Sequence, residues 1–303
     1  MNPHLINTLQ NSIQGTIKLN EPLKNHTTWK MGGPADVLVI PQNKEDIRRT
    51  VLLCHEYNIP WLVLGNGSNL LVLDGGIRGV VIKMEGALTG CNWQENGVAV
   101  ETGVILPRLA RDAAKRGLAG LEWCAGIPAS VGGAIVMNAG VGNDSFGNYV
   151  EKIEVIDSTG QVKWREKEEL IFDYRFSSQQ EKQEIIIGAV LSLPRGKQEE
   201  CEEKIRDYLK KRHSSQPVEY PTAGSVFKNP PSDYAGRLLE AVGAKGMTVG
   251  SAQVSEKHAN FIINLGGACA QDVTQLIKEL KARVWQEFRI DLETEVRIIG
   301  EAR

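Results

Sequence analysis

Hydrophobic residues recur along most of the chain with the spacing of amphipathic helices and short strands. The clearest helical period lies in residues 270–288, where five apolar side chains share one face. These are Val273, Leu276, Ile277, Leu280 and Val284. Strands predicted at residues 259–265 and 292–299 flank this helix, so the last part of the chain is predicted to form a small α/β layer.

The remaining elements are shorter. Prolines end the first strand and the first helix, and Gly117 ends the helix in the middle of the chain. The predicted strands are residues 35–40, 61–64, 70–73 and 80–84, and the predicted helices are residues 44–57, 106–116 and 198–212. Residues 85–194 otherwise alternate short strands. Two proline-containing dipeptides follow the charged helix and mark the passage into the last domain. They are Gln216-Pro217 and Tyr220-Pro221.

Composition and charge narrow the function classes. A chain of 303 residues with 42% hydrophobic content is too long for one small core and indicates two or three packed domains. Its 35 basic and 37 acidic residues leave a net charge of -2, and neither sign forms a long block. This balance gives no support to nucleic-acid binding or to a membrane surface, whereas an anionic small ligand remains compatible with it.

Cysteines and histidines are scattered. The five cysteines are odd in number and never spaced C-x-x-C, and the five histidines form no pair with the spacing of metal ligands. We therefore predict neither a disulfide framework nor a metal site. The first 15 residues lack a basic residue followed by an apolar run, and no segment is long enough to span a bilayer, so a cytoplasmic location is expected.

Two stretches of small residues could hold an anion. Residues 65–69 (GNGSN) follow a predicted strand, but no third glycine and no helix follow as in a dinucleotide-binding fingerprint, and no P-loop lysine is present. An ordinary tight turn is the alternative. Residues 125–134 contain Ser130 and Gly132-Gly133, whose backbone N–H groups could hold a pyrophosphate. Close packing of a glycine-rich strand is the alternative there.

A third segment, residues 223–230 (AGSVFKNP), frames two apolar residues with serine, lysine and asparagine. Its Gly224-Ser225-Val226 lacks the second glycine of a hydrolase nucleophile elbow, so a turn is the simplest interpretation of this string by itself.

Taken in order, these segments resemble the UDP-N-acetylenolpyruvoylglucosamine reductase family over residues 26–300. The order and spacing of the motifs carry the resemblance, and the absence of a long insertion is similar to the shorter subtype. The motifs are His26-Thr27-Thr28 with Gly32-Gly33, residues 65–71, residues 126–134 with Asn138-Ala139-Gly140, Tyr174-Arg175, residues 223–230, and residues 295–300. The sequence departs from the usual pattern at Ala129 and in residues 141–146, so the details of the flavin-side loop stay open.

The resemblance implies an α+β fold. A two-domain FAD-binding module of the vanillyl-alcohol-oxidase/PCMH type would be followed by a smaller α/β substrate-binding domain. We expect the two FAD-binding subdomains in residues 1–83 and 84–200, and the substrate-binding domain in residues 201–303.

The resemblance also implies FAD as cofactor and NADPH as hydride donor. The residues expected to bind FAD lie in the two glycine-containing stretches, and they are Gly65, Asn66, Gly67, Ser68, Asn69, Gly126, Ile127, Ser130, Val131, Gly132, Gly133 and Asn138. Many oxidases of the wider group attach the flavin to a histidine, in some cases near the first loop. Because Asn69 stands in that loop here, we expect FAD to be bound without a covalent link.

Three residues match the family's catalytic positions, namely Arg175, Ser225 and Glu295. In the family, hydride reaches the terminal methylene of an enolpyruvyl ether and leaves carbanion character on the neighbouring carbon, which spreads into the carboxylate. Arg175 would stabilise that charge, because a guanidinium stays protonated. Ser225 would donate the proton, and Glu295 would help only if it is protonated or acts through water. A surface arginine, a turn serine and a strand glutamate are the alternatives for each residue alone.

The substrate implied is the enolpyruvyl ether of UDP-N-acetylglucosamine, and the product belongs to peptidoglycan synthesis. By resemblance, Asn229, Lys245 and Lys228 would bind its diphosphate or sugar. Two other functions stay open. One is an FAD-dependent sugar or alcohol oxidase on the same scaffold, and the other is a nucleotide-binding regulatory module without chemistry. The sequence gives no oligomeric state.

Overall fold

The structure is a computed structural model that describes residues 3–84, 86–231 and 233–303. Over these residues the α-helices are α1 (Pro3–Ser12), α2 (Lys44–Glu56), α3 (Leu106–Ala114), α4 (Val131–Met137), α5 (Gln198–Ser215), α6 (Ala235–Ala241) and α7 (Ala270–Phe288). Within the described ranges, none of them has the length and apolar character needed to cross a bilayer.

Two larger sheets occupy the first two-thirds of the chain. A four-stranded sheet has the order β1-β2-β5-β3, and a five-stranded sheet has the order β11-β10-β14-β7-β6. The strands of the first sheet are β1 (Thr16–Pro22), β2 (Pro34–Ile40), β3 (Trp61–Leu64) and β5 (Ile77–Lys83). Those of the second are β6 (Cys91–Gln94), β7 (Gly97–Glu101), β10 (Val150–Asp157), β11 (Val162–Glu166) and β14 (Glu184–Ser192). β3 and β5 pair in parallel, whereas all pairs of the second sheet are antiparallel.

Smaller sheets complete the fold. A three-stranded sheet and three two-stranded pairs are formed by short segments that position individual side chains. Their strands are β4 (Leu70–Val72), β8 (Gly140–Val141), β9 (Asp144–Ser145), β12 (Phe172–Asp173), β13 (Phe176–Ser177), β15 (Thr248–Val249), β16 (Ala252–Val254), β17 (Ile262–Asn264) and β18 (Arg297–Ile299). β4 pairs in parallel with β18 although their positions in the chain are far apart.

The chain forms two compact units. The first comprises the described parts of Met1–Leu19, Val37–Asn66 and Gly79–Lys210. It contains two hydrophobic cores, one of α3 and α4 packed on the five-stranded sheet and one built from α1, α2 and the strands β2 and β5. Burial of apolar side chains on one face of each helix accounts for both cores.

The second unit comprises Asn20–Asp36, Gly67–Arg78 and Lys211–Arg303. Its core contains the apolar face of α7 together with Trp29, Phe227 and residues of α6. All five residues predicted to share one face of α7 are buried in it. The core therefore joins segments from the beginning and the end of the chain.

Most predicted elements are confirmed, but the strands predicted at residues 259–265 and 292–299 are shorter, Ile262–Asn264 and Arg297–Ile299. The helix at 270–288 and the strand at 61–64 have the predicted bounds, and α2, α3 and α5 differ by one to three residues at an end. The prediction of a single helix in residues 85–194 is wrong, because α4 forms over Val131–Met137. Two glycines lower its helix propensity, yet its apolar residues Val131, Ala134 and Ile135 are buried in the core and compensate for this.

Candidate active site

The first glycine loop is divided between the two units, with Gly65 and Asn66 in the first. The Asn66 side chain donates a hydrogen bond to the carbonyl oxygen of Pro128 at 2.6 Å. A Cβ atom at position 65 would lie 2.7 Å from the Ser130 hydroxyl oxygen, so only glycine allows this approach. The buried Lys83 ammonium donates to the Gly65 carbonyl oxygen at 2.9 Å. The two small-residue stretches predicted to act together are therefore in contact within this unit.

The start of α4 differs from the expectation. The N–H groups of Val131 and Gly132 donate to the carbonyl oxygens of Val104 and Thr102 at 2.9 and 3.0 Å. The Gly133 N–H donates to the side-chain oxygen of Ser130, the N-cap residue, at 3.3 Å. These three groups already have protein acceptors, so the prediction of free N–H groups beside Gly132-Gly133 is wrong.

Gly126 and Ile127, which lie before this helix in the chain, are half-buried. Gly126 ends a short 3-10 helix, Glu122–Gly126, and the Ile127 N–H donates to the Cys124 carbonyl oxygen at 3.0 Å. Burial raises the pKa of the Cys124 thiol well above its usual value, which keeps this cysteine neutral and unreactive beside the stretch. The roles of Gly126 and Ile127 as FAD contacts stay predictions.

Arg175 lies in the loop of a very short hairpin, here called the Arg175 hairpin (residues 172–177). β12 and β13 pair in antiparallel register, and Tyr174 and Arg175 form the two-residue connection. The Arg175 φ angle is 55°, in the left-handed region that non-glycine residues rarely adopt. Its guanidinium carbon lies 5.2 Å from the centre of the Tyr174 ring, a cation–π distance. The hairpin therefore carries this cation on a residue whose backbone conformation is unfavourable for any side chain other than glycine.

Asn138 fixes the base of the Arg175 hairpin. It is the left-handed C-cap residue of α4, with φ of 41°, and its side chain is buried. Its amide nitrogen donates to the Asp173 carbonyl oxygen at 2.8 Å, and its amide oxygen accepts from the Gly147 N–H at 2.9 Å. Asn138 was predicted to bind FAD, and in the structure its side chain holds the hairpin that carries Arg175.

Residues 67–69 of the first glycine loop belong to the second unit. There the loop is linked by hydrogen bonds to residues 26–28 and, through them, to Thr222. Gly67 has φ of 64°, and its carbonyl oxygen accepts from the Thr28 N–H at 3.2 Å. The Thr28 hydroxyl donates to the carbonyl oxygen of Thr222 at 2.7 Å. Ser68 is half-buried beside them. The predicted motif at residues 26–28 thus connects the glycine loop with the residues that precede Ser225.

Asn69 is tied to the backbone at Glu295. Its side chain donates to the Glu295 carbonyl oxygen at 3.1 Å, and its own carbonyl oxygen accepts from the Arg297 N–H at 3.1 Å. These bonds begin the parallel pairing of β4 with β18. Asn69, predicted to contact FAD, therefore also holds the backbone that leads from Glu295 into β18.

Ser225 and Glu295 lie on neighbouring segments of the second unit. The segment of residues 223–230, here called the Ser225 segment, forms a bridge from Ser225 to Phe261 and another from Phe227 to Thr294. The Glu295 N–H donates to the Val226 carbonyl oxygen at 2.8 Å. Both residues are half-buried. The structure thus places two of the three predicted catalytic residues side by side along the backbone, while Arg175 belongs to the first unit.

Asn260 is a positioning residue that the sequence analysis missed. Its buried side-chain amide accepts from the Phe227 N–H at 2.9 Å and donates to the Phe227 carbonyl oxygen at 2.8 Å. Its backbone N–H donates to the His258 Nδ1 at 3.2 Å, and burial lowers the pKa of His258, which favours this neutral acceptor. The Asn260 side chain bonds to the backbone in the way a neighbouring strand would, and no local sequence pattern signals that.

The predicted substrate ligands carry carboxylate partners. Lys228 donates to Glu293 at 2.5 Å and Lys245 donates to Glu240 at 2.8 Å. The two glutamates are 72% and 61% exposed at their side chains, so each ion pair is worth at most about 1 kcal/mol. The Asn229 side chain accepts from the Ala235 N–H at 3.0 Å. Both lysines can therefore exchange a solvated carboxylate for an anionic ligand at little cost.

Two known families match separate parts of the chain. Residues 35–165 match the family described as "FAD binding domain", and residues 216–299 match "UDP-N-acetylenolpyruvoylglucosamine reductase, C-terminal domain". Two relatives named UDP-N-acetylenolpyruvoylglucosamine reductase come from Desulforamulus reducens and Halalkalibacterium halodurans. The first is 46% identical, covering 98% of each chain, and the second is 42% identical, covering 98% of this chain and 99% of the relative.

Solved structures agree. The UDP-N-acetylenolpyruvylglucosamine reductase from Thermus caldophilus superposes with a TM-score of 0.81 at 38% identity, covering 95% of this chain and all of that one. An alkyldihydroxyacetonephosphate synthase reaches a TM-score of 0.50 at 16% identity over 64% of this chain and 41% of its own, which is a likeness of fold alone. The predicted fold class, an α+β FAD-binding module of the vanillyl-alcohol-oxidase/PCMH type with a further C-terminal domain, is confirmed. The chain belongs to the UDP-N-acetylenolpyruvoylglucosamine reductase family.

Proposed function

We propose that this protein reduces the enolpyruvyl group of UDP-N-acetylglucosamine enolpyruvate to give UDP-N-acetylmuramate, a precursor of peptidoglycan. FAD is its cofactor and NADPH is its hydride donor. The observation that carries the proposal is the match to reductases of this name along 98% of the chain, through both the FAD-binding part and the C-terminal part. The protein is thus an FAD-dependent oxidoreductase.

The residues of the first unit fit a dinucleotide such as FAD. The approach of Gly65 to Ser130 leaves no side chain between the two stretches, which gives a surface of backbone and small polar groups. The Ser130 hydroxyl accepts from Gly133, so its own proton can be donated. Asn66 has a second amide hydrogen beside the one it donates to Pro128. We infer that Ser130 and Asn66 hold the pyrophosphate, in place of the amides at the start of α4.

Bound FAD supplies a hydride, taken from NADPH, to the terminal methylene of the enolpyruvyl ether. We propose that the Arg175 guanidinium stabilises the negative charge that develops on the substrate carboxylate. The Ser225 hydroxyl then gives its proton to the neighbouring carbon, which completes the addition of one hydride and one proton across the double bond. Glu295 lies on the segment adjacent to Ser225 and is proposed to assist this proton transfer directly or through water.

Substrate binding is proposed to use the cations of the second unit. A diphosphate offers Lys228 and Lys245 more negative charge than a single exposed carboxylate, so phosphate oxygens can displace Glu293 and Glu240. Asn229, whose side-chain oxygen accepts from the Ala235 N–H at the start of α6, is proposed to bind the substrate on the same segment as Lys228. The division into domains at residues 83 and 200 stays a prediction. We also place the enzyme in the cytoplasm, where NADPH and nucleotide sugars are available.

One experiment tests this function against its rivals. FAD-loaded protein is mixed anaerobically with NADPH and then with the enolpyruvyl UDP-sugar, while flavin absorbance is followed. We expect reduction in the first mixing and reoxidation in the second, with one product formed per flavin. If a sugar or alcohol reduces the flavin and oxygen reoxidises it rapidly, the protein is an oxidase. If the protein takes up no FAD, a regulatory nucleotide-binding module is supported instead.

A further inference from the structure

The last residue of the Arg175 hairpin, Ser177, and the nearby Gln180 are both attached to the last turn of α4. The carbonyl oxygen of Val136 accepts two side-chain hydrogen bonds, from the Ser177 hydroxyl at 2.8 Å and from the Gln180 amide nitrogen at 2.9 Å. Helix-terminal carbonyls lack partners within the helix, so this oxygen is a natural acceptor. Both hydrogen bonds therefore converge on one backbone atom of the helix.

Gln180 makes a second bond that reaches Arg175 itself. The same amide nitrogen donates to the Arg175 carbonyl oxygen at 3.2 Å. An amide has two N–H hydrogens, so one nitrogen can serve both carbonyls. The Gln180 side chain therefore bridges the end of α4 and the backbone of the arginine five residues earlier in the chain.

The Arg175 backbone needs such support. A non-glycine residue at φ of 55° is disfavoured, because its Cβ crowds the neighbouring backbone. The loop has two residues and strands of two residues on each side, so the hairpin's own ladder is too short to impose this conformation. A strained conformation persists only when surrounding contacts determine it.

We propose that Gln180 is a positioning residue that holds Arg175 in its left-handed conformation and so aims the guanidinium. The proposal rests on the catalytic role of Arg175 given above. When the amide donor is lost, the Arg175 peptide is released from α4 and can rotate toward ordinary φ values. The Arg175 side chain is then no longer oriented by the hairpin. Asn138 still holds the other strand through Asp173, so the hairpin stays attached while the orientation of the guanidinium is lost.

A double-mutant cycle tests this assignment. The FAD-loaded wild type, Gln180→Ala, Arg175→Ala and the double variant are each reduced with NADPH and then mixed with the enolpyruvyl UDP-sugar. We expect Gln180→Ala to slow reoxidation by about 10- to 100-fold, as misplacement of a catalytic group does. In the Arg175→Ala background the same change is expected to slow it less than about twofold, because the group that Gln180 aims is already gone.

Control variants distinguish a changed orientation of Arg175 from a general loss of folding or activity. Gln180→Glu keeps the shape of the side chain but removes the N–H donor, and it is expected to slow reoxidation as Gln180→Ala does even if the alanine variant folds poorly. Gln161→Ala changes an exposed glutamine of the same unit and is expected to leave both steps unchanged. Reduction by NADPH is expected to be equal in all six proteins.

The experiment distinguishes failure of the positioning role of Gln180 from failure of the catalytic role of Arg175. Equal slowing by Gln180→Ala in both backgrounds, or none in the wild-type background, overturns the positioning role of Gln180. Unchanged reoxidation in Arg175→Ala instead overturns the catalytic role of Arg175, on which the inference depends.

Discussion

The Arg175 hairpin and the Ser225 segment carry their reactive groups by different means. The hairpin has four paired residues, and side-chain hydrogen bonds hold it, from Asn138 and Gln180 outside it and from its own Ser177. The Ser225 segment has backbone bridges to two other segments of the chain, at Phe261 and at Thr294. A backbone ladder tolerates many side chains, whereas a side-chain bond depends on one residue type.

The two regions are therefore expected to be sensitive to different substitutions. Changes around the Arg175 hairpin are expected to alter activity more than stability, because few apolar contacts depend on the loop. Changes that break the backbone frame of the Ser225 segment are expected to alter stability first, since Phe227 is fully within the core of the second unit. Asn260 is an exception in this second region, because its side chain makes the hydrogen bonds to Phe227 that a backbone strand would otherwise make.

The largest effect on stability is expected from Asn260→Leu. The substitution is close in size but removes both bonds to Phe227, which leaves one buried N–H and one buried carbonyl without partners. Each such group costs about 1–3 kcal/mol, so the free energy of unfolding should fall by about 4 kcal/mol. Urea unfolding measures this, with Asn92→Leu at an exposed strand position as the control. A loss below about 1 kcal/mol would show that the backbone bridges alone hold the segment.

A smaller loss is expected from Gly67→Ala. Both Gly67 and Gly142 have φ of 64°, so alanine is strained at each. A Cβ atom at position 67 would also collide with the His26 carbonyl oxygen and lie 2.9 Å from the Thr27 Cα, whereas at position 142 it would meet nothing within 4 Å. We expect about 3 kcal/mol of destabilisation for Gly67→Ala and about 1 kcal/mol for Gly142→Ala. Equal losses in urea unfolding would show that the close approach of Gly67 to residues 26 and 27 does not require glycine.

The smallest effect is a gain, from Gln179→Leu next to the Arg175 hairpin. Gln179 is 5% exposed, and neither its amide oxygen nor its amide nitrogen has a hydrogen-bond partner within the described chain. Leucine removes this desolvation penalty at similar volume, so the unfolding free energy should rise by about 1 kcal/mol. Thermal unfolding of the two proteins without FAD measures the change. A lower melting temperature for the variant would mean that the amide has a partner, such as an internal water.

The parts of the fold with strong periodicity were predictable from the sequence. The apolar face of α7 repeats over about three turns from Val273 to Val284, and the strand β3 is bounded by proline and glycine, so local patterns determine both. α4 was not predictable in this way, because Gly132 and Gly133 contradict helix propensity and only burial against the core stabilises it.

The residues of the candidate site stay a prediction from the sequence, and the sequence did not show which side chains hold the others in place. Order and spacing of the motifs identified Arg175, Ser225 and Glu295. The functions of Asn138, Asn260 and Gln180 depend on carbonyl groups that fold back from 35, 33 and 5 residues away, and a sequence pattern does not show which carbonyl a side chain will reach. Polar residues beside predicted catalytic positions are therefore the ones to examine once a structure is known.

The most direct test of the central claim is the effect of Ser225→Ala on the two half-reactions. Ser225 is proposed to act only when the substrate carbon takes up a proton. Loss of its hydroxyl should therefore slow reoxidation of the reduced enzyme by the enolpyruvyl UDP-sugar by orders of magnitude, while reduction by NADPH stays within about twofold of the wild-type rate. Both rates are read in one anaerobic stopped-flow experiment. Reoxidation at the wild-type rate in this variant would contradict the account.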